Sequence, residues 1–206
     1  MSKTISPAPS ASRPALKSHF MGKIFKPLPV KLIVGFISSD RALFEKAQKS
    51  LIKKFGKADF VSPLFDFDKT DYYEKEMGQD LKRSFVSFRD LIAPERLIKI
   101  KLFTNALEKK FSNDALARAI NIDPGYVTLS KLVLATTKSF VHRIYMGRGI
   151  FEEVTLYYKG QGFLPGNWTY PEFRCETHIA VFNEIRKKYY QQIEKQYGLS
   201  QLYRCI

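Results

Sequence analysis

Leu32-Ile33-Val34-Gly35-Phe36-Ile37 is a short unbroken apolar run. Its length suits a β-strand, and the lack of alternation suits a strand covered on both faces. Asp40 follows in the position of a helix N-cap. Phe44, Ala47, Leu51 and Phe55 then recur at helical spacing, and Gly56 stands where the helix must stop. Residues 58–67 are rich in Phe and Val and read as extended, with Pro63 marking an edge or a bulge. The same order returns downstream. Ser84-Phe85-Val86-Ser87-Phe88 is a strand pattern, and Pro94 suits the first turn of a helix. Leu97, Ile100, Leu107 and Phe111 line one helical face, and Ala119-Ile120-Asn121-Ile122 is the next strand. The expectation is an α+β domain with a ferredoxin-like βαββαβ sheet. Residues 126–137 are β-branched and read as extended, with a helix over the middle as the alternative. Residues 142–158 read as an added hairpin turning at Gly147-Arg148-Gly149, with His142 inside its first strand. A C-terminal helix spans residues 177–197, with Ile179, Phe182, Arg186, Tyr189, Ile193 and Tyr197 on one side.

Before this core, residues 1–29 read as a disordered basic tail, leaving residues 30–206 as a single domain. Five prolines punctuate the tail, and serines fill it. Such a stretch buries too little apolar surface to offset the entropy of ordering. Met21 is a second candidate start. The chain carries a net charge of +14, and no Asp or Glu precedes Asp40. A basic surface concentrates polyanions or phosphorylated ligands around it. No apolar run reaches the ~20 residues of a membrane span. The two cysteines, Cys175 and Cys205, make no disulfide framework, which agrees with a reducing cytoplasm.

Four polar segments interrupt the apolar pattern. The first, residues 67–78, holds Thr70, Asp71, Tyr72, Tyr73 and Glu76. Oxygen-rich clusters of this kind hold Mg²⁺ or meet a ligand's polar edge, and they also make ordinary polar loops. The second is Asn121-Ile122-Asp123-Pro124-Gly125-Tyr126, in which Asp-Pro-Gly is a turn signal that leaves Asn121 and Tyr126 unexplained. The third joins Lys138 to His142 and Arg143. Across the hairpin, either turn length sets Arg143 beside a carboxylate, Glu152 or Glu153, in a pair read as exposed. The fourth is Trp168-Thr169-Tyr170-Pro171-Glu172-Phe173, whose aromatics either stack on a base or clamp the last helix to the sheet. Phosphate-loop, dinucleotide and metalloprotease motifs are absent, as is a paired zinc-ligand spacing.

Taken together, several of these motifs resemble the bacterial domain-of-unknown-function family 4416. The matching residues are Thr70-Asp71-Tyr72-Tyr73, Glu76-Met77-Gly78, Leu81-Lys82-Arg83, Asn121-x-Asp123-Pro124-Gly125-Tyr126, Thr137-Lys138, His142-Arg143-Ile144-Tyr145, Gly149-Ile150, Glu153-x-Thr155-Leu156 and Trp168-Thr169-Tyr170-Pro171. The likeness runs from about Pro29 to Tyr190. It implies a bacterial cytoplasmic protein with no established activity, some members being labelled GTP-binding.

Two functions follow as expectations. The first is binding of a phosphorylated ligand, a nucleotide or RNA. Lys82, Arg83, Lys138, His142 and Arg143 would give positive charge, and Tyr72, Tyr73 or Trp168 a stacking face. Thr70, Glu76, Asn121, Asp123 and Tyr126 complete the expected contacts. The second is a metal-dependent hydrolase or phosphotransferase, with Asp71, Glu76 and Asp123 as candidate ligands of Mg²⁺ and His142, Lys138 and Glu153 as catalytic candidates. An enzyme would gather carboxylates and His142 in a concave pocket; a nucleic-acid binder would show an open basic face. Tyr72, Glu76, Asn121, Asp123, Lys138, His142 and Arg143 are expected to border one cleft.

Overall fold

The opening apolar run forms β1 (Val30–Ser38), buried along its whole length. In the computed structural model, which describes residues 24, 26–68, 73–112 and 118–198, it lies inside a nine-stranded antiparallel sheet. Helix α1 (Arg41–Phe55) follows. The Asp40 side chain accepts from the Ala42 amide at 2.7 Å and starts it, and Gly56, at φ +92°, ends it. Strands β2 (Ala58–Val61) and β3 (Phe65–Asp66) come next, then a single turn α2 (Glu74–Met77) and the long β4 (Lys82–Ile92). A 3-10 turn at Pro94–Arg96 leads into α3 (Leu97–Phe111). Strands β5 (Asn121–Val127), β6 (Lys131–Thr136), β7 (Ile144–Gly147), β8 (Ile150–Lys159) and β9 (Gly162–Pro165) follow. A second 3-10 turn, Pro171–Arg174, precedes the C-terminal helix α4 (Glu176–Tyr197).

The strand order is β2-β4-β1-β5-β6-β8-β7, with β3 also on β4 and β9 also on β8. Side chains of a strand alternate between faces, so β1 feeds two cores. Leu32, Val34 and Phe36 pack with Phe44 and Leu51 of α1 and with Leu97 and Ile100 of α3. Ile33 packs on the other face with Phe85, Phe182 and Ile185, beneath α4. Helix, sheet and helix thus form three layers, which is why the run 32–37 shows no polar alternation. Each fully buried Leu, Ile or Phe stabilises such a core by roughly 1.5–3 kcal/mol.

Several local expectations need correction. Asp123-Pro124-Gly125 is not a turn: it lies inside β5, and the chain reverses at residues 128–130, where the Thr128 amide bonds the Lys131 carbonyl at 2.9 Å. His142 sits in the turn before β7 rather than in a strand. The extended stretch 58–67 divides around Pro63, and both pieces pair with β4. The expected tail falls outside the described residues through Lys23 and at Phe25. At its end, Leu28 packs against the Tyr189 and Ile193 cluster, and the Pro29 carbonyl accepts from the Tyr189 hydroxyl at 2.9 Å.

Candidate functional site

The site begins with a fork in the sheet. Strand β5 pairs with β1 along all seven of its residues but with β6 only through Gly125, Tyr126 and Val127. Beyond Leu134, β6 turns away and pairs only with β8, Ala135 opposite Glu152 and Thr136 opposite Phe151. Gly125 stands at the apex. A Cβ there would lie 2.3 Å from the Val133 carbonyl oxygen, so only glycine permits the approach.

A strand edge left open inside a protein must satisfy its amides and carbonyls elsewhere. Helix α3 does this for β5. The Ile122 amide donates to Glu108 Oε1 at 2.5 Å, and its carbonyl accepts from Lys101 Nζ at 3.4 Å. Lys101 and Glu108 are two helical turns apart and therefore share a face. Pro124 points its nitrogen to the same edge as Ile122 and has no hydrogen to leave unpaired.

The fork opens into a cleft of about 930 Å³. One wall is Asn121 and Asp123 of β5 with Lys101, Glu108 and Lys109 of α3. Residues 134–138, running out of β6, form the other. Tyr73, Glu76 and Arg118 close one end, and residues 170–173 with Arg83, Arg143 and Glu153 close the opposite side.

A chain of charge-assisted bonds crosses this space. Arg118 grips Glu76 with Nε and a terminal nitrogen, at 2.7 and 2.6 Å, and donates to Asn121 Oδ1 at 3.0 Å. Asn121 Nδ2 donates to Asp123 Oδ2 at 2.5 Å, and Lys101 donates to Asp123 Oδ1 at 2.9 Å. The Arg118 hydrogen bond holds the Glu76 carboxyl below the usual carboxylate range. Burial works against the Asp123 charge, yet Lys101, together with Arg83 and Asn121, outweighs it and keeps that carboxyl low. Glu108 behaves oppositely: burial pushes it up to about 7, against the pull of Lys101.

On the far side, Glu153 accepts from Arg143 Nε at 2.7 Å and His142 Nε2 at 3.0 Å. The Arg143 and Glu153 side chains are 6% and 4% exposed, so the pair is buried, contrary to the sequence reading. Arg143 also donates to the Lys138 carbonyl and the Tyr170 hydroxyl. At the floor, Arg83 donates to Glu172 at 2.6 Å, with the Phe85 and Phe173 rings 4.9 and 4.6 Å from its guanidinium carbon. Behind it, His178 Nδ1 donates to the Glu172 carbonyl at 2.7 Å. Burial, helped by Arg83, pushes that imidazole down to about 4.

The four polar segments thus meet, and Tyr73, Glu76, Arg83, Asn121, Asp123, Lys138 and Arg143 line the cleft. His142 stands behind Glu153. Three candidates lie elsewhere. Lys82 pairs with Asp66. Tyr126 is in the core beneath α1 and α3, its hydroxyl pushed up to about 12 by burial. Trp168 stacks on the His142 ring at 6.1 Å, has Gly166 close beside its indole, and donates to the Val154 carbonyl at 2.7 Å. Thr70, Asp71 and Tyr72 lie outside the described residues. Among the described residues no three His, Cys, Asp or Glu side chains are grouped to hold a metal ion; Glu76 and Asp123 face cations instead. Sequence reasoning missed Lys101, Glu108, Arg118 and Glu172. Lys101 and Glu108 left one signal, polar residues on the buried face of α3.

The fold and site define a three-layer α+β protein whose antiparallel sheet forks around a polar cleft. Residues 28–189 match the model of the family described as "Domain of unknown function (DUF4416)", and the chain belongs to that family. No curated protein and no solved structure matches it. No helix among the described residues is long and apolar enough to cross a membrane.

Proposed function

We propose that the cleft binds a small phosphorylated ligand of nucleotide size. The observation that carries this reading is the convergence of six cations, Arg83, Lys101, Lys109, Arg118, Lys138 and Arg143, on one concave space. Five carboxylates share the lining, and Glu108, with its carboxyl near 7, is only partly ionised at neutral pH, so the balance there is positive. Phosphate oxygens make charge-assisted bonds of the strong kind with such groups. Tyr73 and Tyr170 add aromatic surface. The volume falls within the roughly 300–1,000 Å³ of small-molecule sites, and concavity favours a compact ligand over an RNA strand, which tracks an open basic face. Two finer points belong to the proposal. The order β5-β1-β4-β2, with α1 and α3 as crossovers, supports a ferredoxin-like first half. The Cys175 thiol, free of a disulfide, suits a bacterial cytoplasm.

Calorimetric titration with pyrophosphate and with nucleoside mono-, di- and triphosphates tests the reading. At least one probe should bind, and Lys109→Ala with Lys138→Ala, at the mouth, should weaken it about tenfold or more, in keeping with lost charge-assisted bonds. Absence of binding to every phosphorylated probe rejects it. RNA that binds instead, with affinity falling steeply as salt rises, moves the site to the polyanion class.

A second reading, hydrolase or phosphotransferase, rests on Glu108: a cleft carboxyl that titrates near neutrality is suited to general acid–base work. Phosphate release that Glu108→Gln abolishes without loss of binding would support it.

A further inference from the structure

The two helical layers differ in charge. Every exposed side chain of α1 and α3 other than Ala42, Ile52 and Ala106 is charged, and every one of those charges but that of Glu45 is positive. On the opposite layer, α4 exposes Glu176 and Glu184 beside Lys187 and Lys195, a balanced set. The α1 and α3 charges form one surface, because Phe55 packs on Phe103 at 5.6 Å and Lys54 lies over the same ring at 5.7 Å. Helix maintenance does not account for them. Lys46, Lys49 and Lys53 are neighbours three and four residues apart, where like charges destabilise a helix, and only Glu45, 3.8 Å from Lys49, offsets them. Arg41 and Lys99 stand in first turns that hold no acidic residue, at the ends where the helix dipole favours anions.

We infer that this face binds duplex DNA through its phosphates, without reading sequence. Helix α1 is ~22 Å long, and a duplex presents one negative charge per ~1.7 Å of its axis, so phosphates are dense enough to serve the exposed cations of both helices. A single strand is held with aromatic side chains on which bases stack, and this face exposes none. It exposes no hydroxyl or amide to meet a 2′-hydroxyl either: Ser50 is half-buried and donates to the Lys46 carbonyl at 2.9 Å. That leaves the duplex that asks for phosphate contacts alone. An anionic bilayer is held stably when apolar side chains insert as well, and Ile52, 41% exposed, is the one large exposed apolar residue of α1 and α3. The face is separate from the cleft except at Lys109.

The test is fluorescence anisotropy of the full chain with a labelled DNA duplex across a salt series, and affinity should fall as salt rises. Lys46→Gln, Lys49→Gln and Lys53→Gln together remove three phosphate contacts. The slope of log affinity against log salt should then drop by about 2–3, with affinity at low salt reduced about tenfold or more. Lys159→Gln, Lys187→Gln and Lys195→Gln together remove the same charge from outside α1 and α3 and should leave the slope unchanged. Far-ultraviolet dichroism should match wild type in both triple variants, and Lys109 is intact in each. Absence of binding at low salt overturns the proposal, as does an α1 triple variant that binds like wild type. A slope lowered equally by both triple variants overturns it too, since net charge alone would then act. Tighter binding to an RNA duplex of the same length overturns it in favour of RNA. Co-sedimentation with phosphatidylserine vesicles without DNA binding overturns it in favour of a membrane surface.

Discussion

Replacing Glu108 by Gln should make the protein more stable at alkaline pH and leave it unchanged in acid. Glu108 is 6% exposed, and its carboxyl is displaced from 4.5 to about 7 by burial. Below pH 4.5 both folded and unfolded chains hold the proton, so the displacement contributes nothing. Between about 4.5 and 7 the folded chain keeps a proton that the unfolded chain has released, and stability falls as pH rises. Above 7 the loss is complete. At 1.36 kcal/mol per unit, a rise from 4.5 to about 7 is worth on the order of 3 kcal/mol. Glutamine keeps an acceptor for the Ile122 amide and cannot ionise. Urea titrations of wild type and Glu108→Gln from pH 4.5 to 8.5 should therefore coincide at the acid end and separate by about that amount at the alkaline end. Glu152 is also pushed up to about 7 by burial, so the variant should flatten only part of the wild-type slope. Glu108→Ala is the control: with the Ile122 amide orphaned it should lie roughly 1–3 kcal/mol below Glu108→Gln across the range. A Glu108→Gln variant less stable than wild type at pH 8.5 would refute the reasoning, since the ionised carboxylate would then be a net support.

Gly125→Ala should destabilise the fork apex by about 1–3 kcal/mol, because its Cβ meets a backbone oxygen; an unchanged calorimetric midpoint would disprove the close approach. Glu153→Gln should cost roughly 3–5 kcal/mol by leaving buried Arg143 without its anion, and Arg143→Gln in the same chain should recover part of that loss in a double-mutant cycle. His178 should stay neutral to about pH 4 in an NMR titration, whereas unfolded histidine titrates near 6.5. Stability should then fall as pH drops through that window, because only the unfolded chain takes the proton; an imidazole that titrates normally contradicts its buried placement.

What the sequence revealed was local and periodic. The run Leu32 to Ile37 announced a doubly covered strand because its position between two helical layers removes every polar constraint at once. Asp40 and Gly56 bounded α1 because caps answer a need of the helix itself. Gly147-Arg148-Gly149 marked its turn because positive φ is costly for most residues: Arg148 takes φ +56° there beside two glycines. Asp-Pro-Gly misled for a related reason. Proline and glycine answer turn geometry most often, but here they answer a missing strand and a close backbone, neither visible without α3 and β6. The Arg143–Glu153 pair was legible as a neighbour across the hairpin and not as buried, because residues 168–170 that cover it arrive from later in the chain. Arg118 carried no signal: it matters through Glu76, 42 residues away.

The fork is the feature a fold should resist. Zipping β5 onto β6 beyond Gly125 would add ladder bonds worth about 0.5–1.5 kcal/mol each. Three observations explain why it stays open. Pro124 withholds a donor at the edge where a ladder would need one. Ile122 already has both backbone partners from α3. The chain from Glu76 to Lys101 places ions along β5 that a zipped strand would have to desolvate further or break. The groups that hold the cleft apart are thus the groups that line it. Substituting Glu76, Lys101, Arg118 or Asp123 will alter folding and ligand affinity together, and loss of binding in those variants cannot by itself be assigned to contact. Lys109 differs, because it is exposed at the mouth and takes no part in satisfying β5. A ligand whose affinity falls with Lys109→Ala and Lys138→Ala together, while the urea midpoint stays fixed, lies in the fork; one indifferent to both binds elsewhere.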